Sequence, residues 1–424
     1  MTRNETIKTV AVIGGGVTGI VAAYLLSRRF QVTLFETNNY LGGHTNTRFV
    51  AMGQDRDVPV DTGFIVFNHK TYPLFTEFLK QLDVDIIDAP MSFSYHRPDR
   101  GIQFASHIPS GLFADKKNAF RPWFWRMLWD ILRFNRKGRG DLATGIPADM
   151  TLGRYLAENR FSKAFCDYYL LPMAAAIWSS GTGKIVDFPC KSFLRFYDNH
   201  GLLSVADQPQ WKTLKNGSIQ YVKAFTRAFA GEIRLNEEVQ QIQRNNNGVA
   251  VTTSHGQEHT FDAAVIAAHA DQALAMLTDP DEREQAVLGA WTYSTNTTVL
   301  HSDAGHMPPL KNAWASWNYL DDAGPGASDV ALTYYMNMLQ RLPATNNYFV
   351  SLNARRTIDP ALVHYLVDYT HPRYDTAALK TQQQLPLIRR DRNTYFCGSY
   401  CGYGFHEDGV RAAVAVGKEF GISL

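Results

Sequence analysis

The chain has 424 residues, 45% of them apolar, and a formal charge of +2. That length exceeds one ordinary core and calls for two intimately connected domains, and the near-neutral charge excludes a global pull towards nucleic acid. Four cysteines without regular spacing argue against a disulfide framework and for a reducing compartment. No apolar run reaches the roughly 18 residues needed to span a bilayer. The polar N-terminus runs straight into a first strand and leaves no room for a signal peptide, so the expectation is a cytoplasmic protein.

Thr9 to Ile13 is a short β-branched run, which suits a buried parallel strand. Gly14, Gly16 and Gly19 then supply G-x-G-x-x-G, and Gly19, Ala22, Ala23 and Leu26 give the following helix a slim inward face. Val32 to Phe35 forms the next strand, and Glu36 closes it about 20 residues after the first glycine, where a carboxylate accepts hydrogen bonds from a ribose diol. Strand, turn, helix and spaced acid agree on a dinucleotide site with its phosphates at the helix N-terminus. Glu36 argues against NADP, whose extra phosphate a carboxylate repels.

Leu41-Gly42-Gly43-His44-Thr45 adds a second glycine pair that an NAD fold does not need. In Asp61-Thr62-Gly63-Phe64 the glycine either lets the backbone approach a flat ring or marks a bulged strand. Tyr72 to Leu82 is an amphipathic helix, with mixed strands from about residue 85. From Phe113 to Gly140 aromatic residues such as Trp123, Trp125 and Trp129 alternate with Lys116, Lys117, Arg121, Arg126, Arg133 and Arg136, opposed only by Asp115 and Asp130. Such a helix is either an interfacial membrane anchor or a core helix flanked by solvated arginines.

Leu152 to Phe165 and Tyr168 to Trp178 have helical patterns, the second interrupted by Pro172. Pro209-Gln210-Trp211 and Gly217 precede a helix over Gln220 to Phe229. Glu232 to Leu235 and Val239 to Ile242 are strands, and Val249 to Thr252 pairs back across the turn Asn245 to Gly248. Asp262 to His269 is a further buried strand that returns the chain to the nucleotide domain. Thr297 to Leu300, Ala313 to Tyr319 and Val330 to Met336 suit an antiparallel sheet carrying a pocket. Asn393 to Gly398 is the last strand, Gly398 to Gly409 a loop, and Val410 to Phe420 a terminal helix.

With these segments placed, the chain resembles the flavin-containing amine oxidase-type flavoproteins. It is most similar to the flavoprotein domain that precedes the methyltransferase in plant cyclopropane fatty acid synthases, and to free-standing bacterial relatives of that domain. Tyr40 to His44, Gly63 to Asn68, Pro209 to Trp211, Ser316 to Tyr319 and above all Gly402 to Gly409 carry the likeness. The resemblance implies an α/β fold in which a Rossmann-like FAD-binding domain (1–85, 205–290 and 385–424) interleaves with an α+β substrate domain (86–204 and 291–384). The latter would hold a helical, basic-aromatic, membrane-facing insertion around 113–180.

The implied cofactor is FAD. By the resemblance Gly14, Gly15, Gly16, Gly19 and Glu36, with Val17 and Thr18, hold the AMP half, and the adenine lies against Val239. Gly42, Gly43 and Gly63, with His44, Thr45 and Phe64, approach the flavin end. Gly398, Ser399 and the Asp408-Gly409-Val410 turn cover the ribityl and pyrimidine edges. Ser399 stands where amine oxidases usually carry a glutamate, and no counterpart of the lysine that many hold near flavin N5 is found. His406, Tyr403 and Glu407 are the acid–base candidates; His406 either takes a proton near neutral pH or hydrogen-bonds its loop in place. Trp178, Trp211, Trp317 and Tyr334 are either pocket walls or ordinary core. Cys397 and Cys401 lack partners for a metal site.

The implied function is an oxidoreductase, a desaturase, dehydrogenase or isomerase acting on unsaturated, methyl-branched or cyclopropane-related fatty acyl chains, resting on the cytoplasmic face of a membrane. Two alternatives stand beside it: an amine or polyamine oxidase, and a non-catalytic flavin-binding partner of a lipid methyltransferase.

Overall fold

The structure is a computed structural model that describes residues 7–51, 53–178, 181–204, 208–245, 248–322, 330–388 and 391–424. Its first layer is a five-stranded parallel sheet in the order Thr394–Phe396, Ala263–Ile266, Thr9–Ile13, Gln31–Glu36, Glu232–Leu235. The central strand exposes none of Val10, Ala11 or Val12, as a parallel strand covered on both faces requires. Helix Val17–Leu26 packs on this sheet so closely that a Cβ on Gly19 would lie 1.8 Å from the Gly14 carbonyl oxygen. The terminal helix His406–Glu419 lies against it. A three-stranded antiparallel sheet, Val239–Asn245, Gly248–Thr253 and Glu258–Phe261, covers one side; Asn246 and Asn247 of the expected turn lie outside the described residues.

A seven-stranded sheet forms the second layer, in the order Val363–Pro372, Tyr293–His301, Phe349–Leu352, Leu332–Tyr335, Trp317–Leu320, Phe93–Arg97, Ile102–Ala105. All its pairs are antiparallel except Trp317–Leu320 with Phe93–Arg97. Helices between residues 122 and 199 pack on it around Phe124, Phe134, Phe165, Phe193 and Tyr197.

Several boundaries differ from the sequence reading. The expected helix over Leu152 to Phe165 stops at Glu158, because Arg160 turns left-handed (φ 54°) and Ser162 caps a new start. Cys166–Leu170 is a π-turn that leads into helix Leu171–Trp178, so the irregularity precedes Pro172. The strand expected from Ala313 begins at Trp317, since the Asn318 side chain folds the backbone before it by bonding both the N–H and the carbonyl of Ala315. The terminal helix begins at His406 rather than Val410, capped by the Asp408 carboxylate accepting from the Phe405 N–H at 3.1 Å. The basic-aromatic segment forms helix Pro122–Thr144, preceded by a 3₁₀ turn Lys116–Phe120.

The two layers are tied at Asp61, which is fully buried. Its carboxylate accepts from Thr47 Oγ1, from Ser218 N–H and Oγ, and from Gln340 Nε2 at 2.8 Å, while Gln340 Oε1 accepts the Asp61 N–H at 2.9 Å. Asp61→Asn keeps the shape but sets an amide NH₂ among these donors. It should cost about 1–3 kcal/mol, read as a lower denaturant midpoint of unfolding.

Candidate functional site

A cavity of about 980 Å³ runs between the layers, at the top of the usual range of about 300–1,000 Å³ for ligand sites. One end is made of backbone. Gly14 turns at φ 102°, a conformation that favours glycine, and its N–H bonds the Phe35 carbonyl at 2.9 Å. A Cβ on Gly16 would meet nothing within 4 Å, so this position opens onto the cavity. Gly16 is also the N-cap of helix Val17–Leu26, which has no side-chain cap and no acid in its first turn. An uncapped N-terminus behind a bare glycine suits an anionic phosphate. Gly42 donates to the Gly15 carbonyl at 2.8 Å, and this bridge brings Gly43 against Gly16.

Glu36 is buried at the same end. Its carboxylate accepts from the Gly15 N–H at 2.7 Å and from both nitrogens of Asn38, at 2.9 and 2.6 Å. These three donors hold it facing the wall where a ribose diol would sit. Gly14, Gly15, Gly16, Val17, Thr18, Glu36, Gly42, Gly43, His44, Gly63, Phe64, Val239, Gly398 and Ser399 all line the cavity. Gly19, Thr45, Asp408, Gly409 and Val410 stand behind the wall. Gly409 packs on Thr18 and Val410 is in the core, while Asp408 caps its helix and pairs with Arg411 at 2.7 Å. Gly63 serves backbone packing as well as the cavity, because a Cβ there would lie 2.2 Å from the His44 carbonyl oxygen.

The other end is built of side chains. Trp178, Trp211, Trp317 and Tyr334 all line it, with Trp317 edge-on to Tyr334 at 5.2 Å. Tyr403 and His406 reach the wall from the C-terminal loop and helix start. Glu407 points elsewhere: its carboxylate accepts the N–H groups of Leu74 and Phe75, at 3.2 and 3.0 Å, and so caps helix Pro73–Gln81. His406 stacks on Phe64 at 3.6 Å, and its Nε2 lies 3.0 Å from Thr45 Oγ1, which shares a hydrogen with Tyr221. Burial holds this imidazole well below its ordinary pKa, which favours the histidine that holds its loop over one that takes up a proton near neutral pH.

Beside the expected His44, three further histidines stand on the wall that sequence reading did not single out: His200, His269 and His371. Burial, reinforced at His44 by His269, pushes His44, His200 and His269 down to about 4, and burial beside His44 and His269 pushes His371 to about 3. Among the described residues no group of three or more His, Cys, Asp or Glu is arranged to hold a metal. A pair of imidazoles close in space but far apart in sequence gives no local signal.

Two tests follow from this geometry. Gly16→Ala puts a Cβ where nothing lies within 4 Å, so the fold should persist while FAD uptake falls about tenfold in a fluorescence titration; Gly19→Val meets the Gly14 carbonyl and should lower the unfolding midpoint instead. The neutral histidines make stability depend on pH. The unfolded chain takes up protons below about pH 6.5, and the folded chain resists until about pH 4. Urea midpoints should therefore fall steadily as pH is lowered through that window, and a flat profile would contradict the buried neutral rings.

The cradle, the uncapped helix start and the held carboxylate fit an FAD molecule, whose flavin, when bound, would accept or return a hydride. A family model described as flavin containing amine oxidoreductase matches residues 17–313. Among solved structures, the chain is similar to the CLA-producing fatty acid isomerase from P. acnes, at 14% identity, TM-score 0.68, covering 97% of this chain and 98% of that one. It is similar to cyclohexylamine oxidase from Brevibacterium oxydans IH-35A, at 15% identity, TM-score 0.67, covering 97% and 99%. Putrescine oxidase bound to putrescine gives 13% identity, TM-score 0.65, covering 97% and 98%. No curated protein matches the chain. A match over well more than half of its length, on a fold shared with these structures, makes the chain an FAD-dependent oxidoreductase of the flavin-containing amine oxidoreductase family.

Proposed function

We propose that this oxidoreductase acts on an unsaturated, methyl-branched or cyclopropane-related fatty acyl chain of a membrane lipid. It would form a new double bond or, by returning the hydride to another carbon, an isomer. The observation that carries the reading is the chemistry of the side-chain end of the cavity. Ile65, Val66, Met91, Met173, Ile177 and Leu202 line it among the aromatic rings. The carboxylates on the described wall, Glu36, Glu237, Glu238 and Asp368, come from elsewhere in the chain, on or beside the nucleotide-end strands and the long edge strand. A protonated amine would need a counter-charge at the reacting end, whereas an acyl chain needs apolar surface.

Tyr403 and His406 are the polar groups in reach of the substrate in this reading. Burial raises the Tyr403 phenol above its ordinary pKa and keeps it neutral, as it does His406, so both would orient the chain and exclude water. The likeness to a fatty acid isomerase supports a fatty acid in this framework, and the resemblance to the flavoprotein domain of cyclopropane fatty acid synthases supports a lipid-modifying context.

The surface of helix Pro122–Thr144 supports a peripheral membrane site. No described helix is long and apolar enough to cross a membrane. Phe124, Met127, Ile131 and Phe134 fill the core, while Phe120 (87% exposed), Trp125, Trp129 and Leu132 face outward. Arg126 and Arg133 are spent on the buried Asp130 and flank Trp129 at 4.7 and 5.1 Å. Lys116, Lys117, Arg136 and Arg139 are exposed around it and suit anionic headgroups.

The test is FAD-loaded protein incubated without oxygen with anionic vesicles of unsaturated or branched phospholipid, followed by flavin absorbance and acyl-chain analysis. Altered acyl chains are expected, and Trp125→Ala/Trp129→Ala should cut vesicle binding several-fold while leaving FAD content unchanged. Unaltered lipid, together with flavin bleaching by amines under the same conditions and peroxide release once air is readmitted, would replace this reading with amine oxidation.

A further inference from the structure

The long edge strand Val363–Pro372 brings His371 to the cavity wall, and the surrounding network decides which of its ring nitrogens carries hydrogen. A backbone N–H can only donate. The Thr297 N–H goes to Asn353 Oδ1 at 3.0 Å, so the Asn353 amide is fixed with its nitrogen on the other side. That nitrogen donates to Asn296 Oδ1 at 2.8 Å and to the Val330 carbonyl at 3.2 Å. Asn296, only 3% exposed, has then committed its oxygen, and its nitrogen is the atom 2.9 Å from His371 Nδ1. An amide nitrogen donates, so Nδ1 accepts. The ring is neutral, for burial beside His44 and His269 holds it there. The single ring hydrogen therefore sits on Nε2.

Nε2 has no hydrogen-bond partner among the described residues, yet it is not among the sealed, unpartnered atoms of the core. It reaches the open cavity. The ring stands edge-on to His44 at 5.1 Å, and His44 directly follows Gly43, whose backbone touches Gly16. This puts His371 on the nucleotide side of the cavity rather than among Trp178, Trp317 and Tyr334.

We infer that His371 is a fixed hydrogen-bond donor of the cofactor site, its Nε2–H locked by the Asn353–Asn296 relay and donated to an acceptor atom of the bound flavin nucleotide. A neutral donor of set direction needs no proton from solvent. Asn296 and Asn353 are positioning residues: they touch nothing in the cavity and act by choosing the tautomer. The inference stands apart from the identity of the substrate, since its readouts need only protein and FAD.

The experiment uses protein with ¹⁵N-labelled histidine, the His371 signal being assigned by its loss in His371→Phe. The wild type should show His371 protonated at Nε2 only. Asn296→Asp places an acceptor opposite Nδ1 and should protonate that nitrogen, whether or not Nε2 keeps its hydrogen. In fluorescence titrations His371→Phe should weaken FAD binding about threefold to tenfold, the worth of one neutral hydrogen bond. Asn296→Leu should weaken it by no more than that, and Asn296→Leu/His371→Phe no further than His371→Phe alone. Near-UV circular dichroism serves as the folding control. Protonation at Nδ1 in the wild type, unchanged FAD affinity in folded His371→Phe, or additive losses in the double variant would each overturn the inference.

Discussion

One buried carboxylate sets the geometry on which the cavity depends. Asp61 gathers Thr47, Ser218 and Gln340, groups that lie 14, 157 and 279 residues away in sequence. Two of these partners belong to the segments around the parallel sheet, and Gln340 follows a short helix beside the antiparallel one. The carboxylate thus acts as a rivet between layers; its several donors offset part of the cost of burying it, and burial still pushes its pKa up to about 6. Thr62, Gly63 and Phe64 come immediately after it, so the rivet also fixes the wall segment on which His406 stacks. Gly217, at φ 89°, completes the joint by bringing backbone where a side chain would strike Thr47 and Asp61.

The cavity that results is made in two different ways. At the nucleotide end the wall is defined by what is missing. Side chains are absent at Gly14, Gly16, Gly42 and Gly43, and the exposed backbone and helix start provide the recognition. At the other end bulky residues from four separate elements converge, and recognition there is by shape and apolar surface. A dinucleotide is a constant ligand that backbone can serve. A variable substrate is served by side chains, which can change without disturbing the main chain.

This division explains what the sequence disclosed. The strand, the glycines and Glu36 were legible because a backbone turn imposes glycine at set offsets within one short segment. The aromatic wall residues were legible as residue types, though their meeting was not. The longest described strand, Val363–Pro372, escaped notice because it is an edge: Val363, His364, Leu366 and Asp368 are exposed, so its pattern alternates polar with aromatic rather than apolar with polar. With it went Tyr369 and His371. The relay Asn353–Asn296–His371 spans partners 57 and 75 residues apart, and nothing local marks any of the three. Glu407 misled for the opposite reason, since a carboxylate in a conspicuous loop invites a chemical role while its actual duty is to cap a neighbouring helix.

The π-turn Cys166–Leu170 joins the basic-aromatic helix to the cavity. An α-helix would place successive residues about 100° apart on a regular surface, whereas the wider turn displaces one register and marks functional positions in many helices. Here it carries two adjacent tyrosines to different tasks. Tyr168 packs edge-on against Trp123 at 5.2 Å, at the root of the basic-aromatic helix, while Tyr169 lines the cavity. Two neighbouring residues thus separate the outer helix from the cavity wall. Both rings pack, partly buried, against the core formed by Phe124, Phe134 and Phe165. The exposed Trp125 and Trp129 thus sit on the same helix as Trp123, whose partner Tyr168 is the chain neighbour of a cavity-lining residue.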